Sequence, residues 1–201
     1  MSDLIALDMA ILLPAEVYDA AVDLSASLDP AESQGLRLSD LHVPHVTLTQ
    51  QFVRKEAVDD LWARLTHAIS LQEPFTVRVT GGSRGTSSVW MAVERSPALV
   101  RLHERLMAVM GDFEQVRGEP EAFYGRNARP EDLQWVSRYR VEASFGAYQP
   151  HITLGHATAV PDVEPMEFEA RTVAACHLGR FCTCRRTLRR WRLKRLGEDA
   201  D

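Results

Sequence analysis

The chain has 201 residues, of which 45% are hydrophobic, and a formal net charge of −5. This is enough to bury one sizeable core, in one domain or two small lobes, and excludes a disordered chain; the negative balance argues against a protein that coats nucleic acid non-specifically. The apolar run near the N-terminus is interrupted by Asp8 and lacks a basic leader, so neither a signal peptide nor a membrane span is expected and the chain reads as cytoplasmic.

In chain order, Leu4 to Leu13 reads as a first strand, and Pro14 opens a helix to about Leu28 with Val17, Ala21 and Leu24 on one stripe. A loop leads through Leu36, Leu38 and Leu41 into Pro44-His45-Val46-Thr47-Leu48, a strand-like pentad whose strand continues toward Val53. Lys55 to Ser70 has the periodicity of an amphipathic helix. Phe75 to Val79 alternates as a strand, Gly81-Gly82-Ser83-Arg84-Gly85 reads as a turn, and Ser88 to Val93 as the next strand. Ser96 and Pro97 open a helix that Gly111 ends, residues 112–129 read as a long loop, and Pro130 to about Ser144 as another helix. The pentad then returns as Pro150-His151-Ile152-Thr153-Leu154, and Glu167 to Leu178 with Cys182 to Leu193 forms a closing hairpin around Gly179-Arg180. Strands paired locally in this order indicate an α+β fold.

The two pentads share the pattern P-H-(Val/Ile)-T-L with their histidines 106 positions apart, which points to an internal duplication whose halves each deliver one His and one Thr. Strand alternation puts His45, Thr47 and Thr49 on one face and Val46 and Leu48 on the other; His151 and Thr153 separate likewise from Ile152 and Leu154. The alternative is two ordinary half-buried strands whose His and Thr merely face water. Cys176, Cys182 and Cys184 lack paired zinc-site spacing and read as reduced thiols. Eight basic residues fall between Arg180 and Arg195, either a phosphate-attracting wall or a charged edge strand.

The sequence resembles the two-histidine (2H) phosphoesterases, in the group named for bacterial 2′-5′ RNA ligases and cyclic phosphodiesterases. Residues 148–155, Tyr148 through Gly155, closely fit the second family motif, and Val89-Trp90-Met91 followed by the helix at Pro97 looks like the family's middle. Thr49-Gln50-Gln51-Phe52-Val53 departs from the family's apolar, Gly-containing continuation of the first motif. The resemblance implies one bilobal, duplicated 2H phosphoesterase domain over residues 1–201, with two antiparallel sheets backed by helices around a central cleft and one H-x-T-L motif, His45–Leu48 or His151–Leu154, in each half.

The residues alone support the same chemistry. Opening a phosphodiester needs a base, an acid and donors for the non-bridging oxygens, and two imidazoles with two hydroxyls supply them. His-x-Thr is not a metal-ligand spacing, so no metal or other cofactor is expected. The expected catalytic residues are His45, His151, Thr47 and Thr153, with Phe52, Tyr148 and Arg126 as substrate contacts. The expected substrate is a 2′,3′-cyclic phosphate or 2′-5′ linkage, at an RNA terminus or in a small nucleotide, acted on by a monomer with no membrane partner. Two alternatives stand beside it: a non-catalytic RNA- or nucleotide-binding module, and a hydrolase of another cyclic phosphate, such as an ADP-ribose derivative or a signalling cyclic nucleotide. The remaining histidines, His42, His67, His103, His156 and His177, read as structural, with His156 on the apolar side of its strand.

Overall fold

A computed structural model describes residues 2–195; the ends of the expected domain span, Met1 and residues 196–201, lie outside the described residues. The elements run β1 (Leu4–Leu12), α1 (Ala15–Ser27), β2 (His45–Arg54), α2 (Val58–Ser70), β3 (Phe75–Arg84), β4 (Ser88–Val93), α3 (Pro97–Gly111), β5 (Glu114–Gln115), α4 (Pro130–Glu142), β6 (His151–His156), β7 (Met166–Ala170), β8 (Thr172–Leu178) and β9 (Cys184–Arg192). The fold is α+β, with a five-stranded antiparallel sheet in the order β5-β2-β1-β8-β9 and a four-stranded one in the order β6-β4-β3-β7.

Each sheet draws strands from both halves of the chain. The expected single strand from Glu167 to Leu178 is in fact two, because Arg171 ends pairing with β3 and the chain crosses to pair with β1. The lobes are therefore not the two sequence halves: β8 and β9 complete the first lobe's sheet, and β3 and β4 carry the second motif's strand.

The expected turn at Gly81–Gly85 is also displaced. β3 runs on to Arg84, and the reversal comes at Gly85–Ser87, where the Gly85 amide donates to the Ser88 carbonyl at 2.9 Å. Gly82 permits this because the loop carrying Pro161 crosses directly over it: a Cβ there would lie 2.0 Å from the Pro161 carbonyl oxygen.

One face of the five-stranded sheet, with Leu7, Met9 and Ile11 of β1, joins Leu61 and Leu65 of α2 and Leu99, Leu102 and Leu106 of α3 in the main core. The other face is covered only in part: Ala6, Phe52 and Leu178 pack under Phe123 and Val136, and Ala10, Ala174 and Cys184 under Val43. Between these two patches the sheet opens into a cleft, where β2 faces β6.

Candidate active site

Both motif strands carry a β-bulge at the same place. In β2, Ala10 pairs with Thr47 and Met9 with Thr49, so Leu48 is extra; in β6, Trp90 pairs with Thr153 and Val89 with Gly155, so Leu154 is extra. A bulge leaves a carbonyl outside the ladder, and a helix supplies each partner. His103 of α3 uses Nδ1 on the Leu48 carbonyl at 2.6 Å and accepts from the Phe145 amide at Nε2, while the Ser25 hydroxyl of α1 donates to the Leu154 carbonyl at 2.6 Å.

The bulges shift the alternation by one residue. Thr49, expected on the cleft face with His45 and Thr47, is fully buried, and Gln50 lines the cleft in its stead. His156, expected on the apolar side, likewise turns to line the cleft. Gln50 and His156 each stand five residues after a motif histidine, and their β partners are Asp8 and Ser88. The two lobes thus match position for position, with a carboxylate in one where the other has a hydroxyl.

Both motif histidines are held alike. Nδ1 of His45 lies 2.7 Å from the Val43 carbonyl and Nδ1 of His151 2.8 Å from the Gln149 carbonyl, so each Nδ1–H donates to the backbone and Nε2 is left for chemistry. Trp90 packs against the His151 ring at 5.1 Å between centroids. The electrostatics then diverge. The Asp8 carboxylate, fully buried, has one oxygen, Oδ2, that accepts from the Thr47 hydroxyl at 2.9 Å and the Gln50 amide at 2.6 Å and lies 3.3 Å from His45 Nε2. Burial by itself would lower the His45 pKa, but the Asp8 charge and hydrogen bond, helped by the Val43 carbonyl, raise it to about 9. Among the described residues no carboxylate pairs with His151: burial lowers its pKa, the Gln149 carbonyl opposes this, the His45 charge lowers it again, and the Asp8 charge opposes with the smallest effect.

His45, Thr47, His151 and Thr153 all line one cleft of about 630 Å³. Of the other expected contacts, Tyr148 reaches the cleft, but its ring stacks on His103 at 3.9 Å and its hydroxyl donates to the Thr47 carbonyl at 2.9 Å. Phe52 is fully buried, edge-on against Phe123, so core packing replaces the expected stacking role. Arg126 is exposed and outside the cleft lining; the loop sends in Arg129, whose guanidinium pairs with Asp132 at 2.6 Å and lies over Phe181 at 4.1 Å. The basic strand β9 forms the outer edge of its sheet and contributes no arginine to the cleft lining.

Sequence reasoning missed Asp8, Gln50, Trp135 and the orientation of His156. The available signal was Asp8 itself, a lone carboxylate in an otherwise apolar strand. Among the described residues, Asp8, His45 and Cys184 bring one potential metal-ligand atom each within 4.8 Å of one another. Asp8 and His45 already engage each other, and the buried Cys184 thiol has Cys176 as its hydrogen-bond partner.

Comparison with known proteins agrees with this architecture. The model of the 2′-5′ RNA ligase superfamily matches residues 19–188. Protein TT0787 of Thermus thermophilus superposes with a TM-score of 0.65 at 23% identity, over 97% of this chain and 100% of that one. Escherichia coli LigT with bound phosphate superposes with a TM-score of 0.63 at 21% identity, over 96% and 100%. LigT in complex with 3′-AMP gives 0.62 at 19% identity, over 96% and 99%. No curated protein matches the sequence significantly. Among the described residues, no helix is long and apolar enough to cross a membrane.

Proposed function

Because this chain belongs to the 2′-5′ RNA ligase superfamily, we propose that its cleft opens 2′,3′-cyclic phosphates, or cleaves and re-forms 2′-5′ linkages, by acid–base catalysis between His45 and His151 without a metal ion. The observation that carries this reading is the buried Asp8 carboxylate 3.3 Å from Nε2 of one of two otherwise matched histidines, which favours the charged form of His45 while burial disfavours that of His151. Binding alone needs no such pair; a proton transfer in each direction does. That LigT, with the same fold, holds phosphate and 3′-AMP supports a phosphate-bearing ligand here.

At neutral pH His151 is neutral and serves as the base, its Nε2 taking a proton from the attacking water. As the bond from phosphorus to the 3′ oxygen breaks, leaving the phosphate on the 2′ oxygen, His45 delivers its Nε2 proton to the departing 3′ oxygen. The reverse reaction exchanges the roles. Thr47 spends its hydroxyl proton on Asp8 in the free protein and thereby helps hold His45, whereas the Thr153 hydroxyl makes no hydrogen bond among the described residues and is available to the non-bridging phosphate oxygens.

The test is turnover of adenosine 2′,3′-cyclic phosphate in the presence of EDTA. Activity should persist, and His45→Ala and His151→Ala should each lower kcat by about 10²-fold or more. Loss of activity on chelation with recovery on adding one divalent ion, or wild-type turnover by either histidine variant, would overturn the mechanism.

A further inference from the structure

Resting on the phosphodiesterase reading, we propose that Trp135 is the platform on which the substrate's nucleobase stacks, and that the cleft takes a nucleoside bearing a single phosphodiester in preference to an RNA strand. Trp135 lines the cleft and is 40% exposed, an unusual position for a tryptophan unless its face has a use. Its ring is nonetheless held. Nε1 donates to Gln50 Oε1 at 2.8 Å, and Tyr139 meets it edge-on at 6.0 Å and 83°. A ring fixed in this way loses little freedom when a base stacks on it.

Of the other cleft aromatics, Tyr139 is buried, and Tyr148, Trp90 and Phe181 each have a face engaged, by His103, His151 and Arg129. Gln50 also links the platform to the reaction centre, since the amide that accepts from Trp135 donates to Asp8, the partner of His45. A base on Trp135 is therefore placed one glutamine and one carboxylate away from the acid, on the lobe that would protonate the ribose oxygen.

Charge decides between one phosphate and several. Along α4 the cleft is lined by Glu131 and Glu142 on either side of Trp135, and Arg129 is paired with Asp132. Glu142 shares its charge with Arg138, leaving Glu131 as the stronger deterrent to a second phosphate on this wall. A volume of about 630 Å³ suits a small ligand.

The experiment compares adenosine 2′,3′-cyclic phosphate, the base-free glycerol 1,2-cyclic phosphate, and a short RNA ending in a 2′,3′-cyclic phosphate. Trp135→Ala should raise KM for the nucleoside substrate about five- to 150-fold, the range for one base–aromatic stack, well beyond its effect on the glycerol substrate. Trp135→Phe, which keeps a ring but drops the tether to Gln50, should retain most of the nucleoside preference. Equal losses on both small substrates, or a Phe variant as impaired as the Ala variant, would refute the platform. An RNA substrate with a KM about ten-fold or more below that of the nucleoside would refute the single-phosphodiester claim. If wild type turns over none of the three, the catalytic reading fails by itself, and calorimetry with adenosine 3′-monophosphate and inorganic phosphate decides the platform: Trp135→Ala must weaken the nucleotide more than the phosphate, and equal weakening refutes it.

Discussion

Asp8 makes two equivalent histidines unequal, and its effects are measurable. With His45 held near 9 and His151 below the usual imidazole range, kcat/KM should rise with an acidic limb from His151 and fall with an alkaline limb near pH 9 from His45. Asp8→Asn removes the charge while keeping the shape, so the alkaline limb should move toward the ordinary imidazole value, by about a unit or more. An alkaline limb that stays near 9 in this variant would detach it from the Asp8–His45 pair. The same pair bears on stability. A histidine whose pKa is raised on folding stabilises fully below its unfolded value of about 6.5 and loses that contribution as pH climbs toward 9. The melting temperature of the wild type should therefore decline over that window, and Asp8→Asn should flatten the decline.

At the scale of the strand, the bulges turn Gln50 and His156 toward the cleft, and each bulge carbonyl is met by a polar side chain from a helix. Ser25→Ala removes the partner of the Leu154 carbonyl and also of the Leu38 amide, which donates to the same hydroxyl at 3.0 Å. Leaving buried backbone groups unpaired should cost about 1–3 kcal/mol, read as a lower melting temperature. The opposite sign is expected at Thr49, which the bulge in β2 turns inward: its hydroxyl is buried with no partner among the described residues. Thr49→Val keeps the shape and removes the orphaned group, so stability should hold or rise by about 1 kcal/mol. A clear loss there would mean that the hydroxyl has a partner in solution.

For the molecule as a whole, the cleft and the basic edge strand carry their charges on separate surfaces. The exposed arginines of β9, Arg186, Arg189, Arg190 and Arg192, lie outside the cleft lining on an edge strand, where repeated positive charge discourages pairing with another chain. Reversing Arg186 and Arg192 to glutamate should change turnover of a mononucleotide cyclic phosphate by less than about two-fold, because exposed charges that do not line the cleft are screened by water and salt. A large drop would bring the strand into the substrate path.

The repeated pentads by themselves determined that this protein has two matched strands, each presenting a histidine and a threonine on one face, because a period of two is set by covalent geometry and can be read one residue at a time. The helix starts at Pro97 and Pro130 and the α+β order were legible for the same local reason. The residues just beyond each pentad were not. Alternation extrapolated past Leu48 and Leu154 put Thr49 in the cleft and His156 in the core, and both reversed because a bulge is fixed by the neighbouring strand and by the helix side chain that satisfies its carbonyl. The crossing at Arg171, which splits one expected strand between two sheets, depends on which edges are open to pair. So does the position of Asp8. It lies 37 residues from His45 in sequence, and only antiparallel pairing of β1 with β2 brings its carboxylate to 3.3 Å from the imidazole, where a field acting through space shifts the pKa of one of two histidines of identical motif upward while burial shifts the other downward.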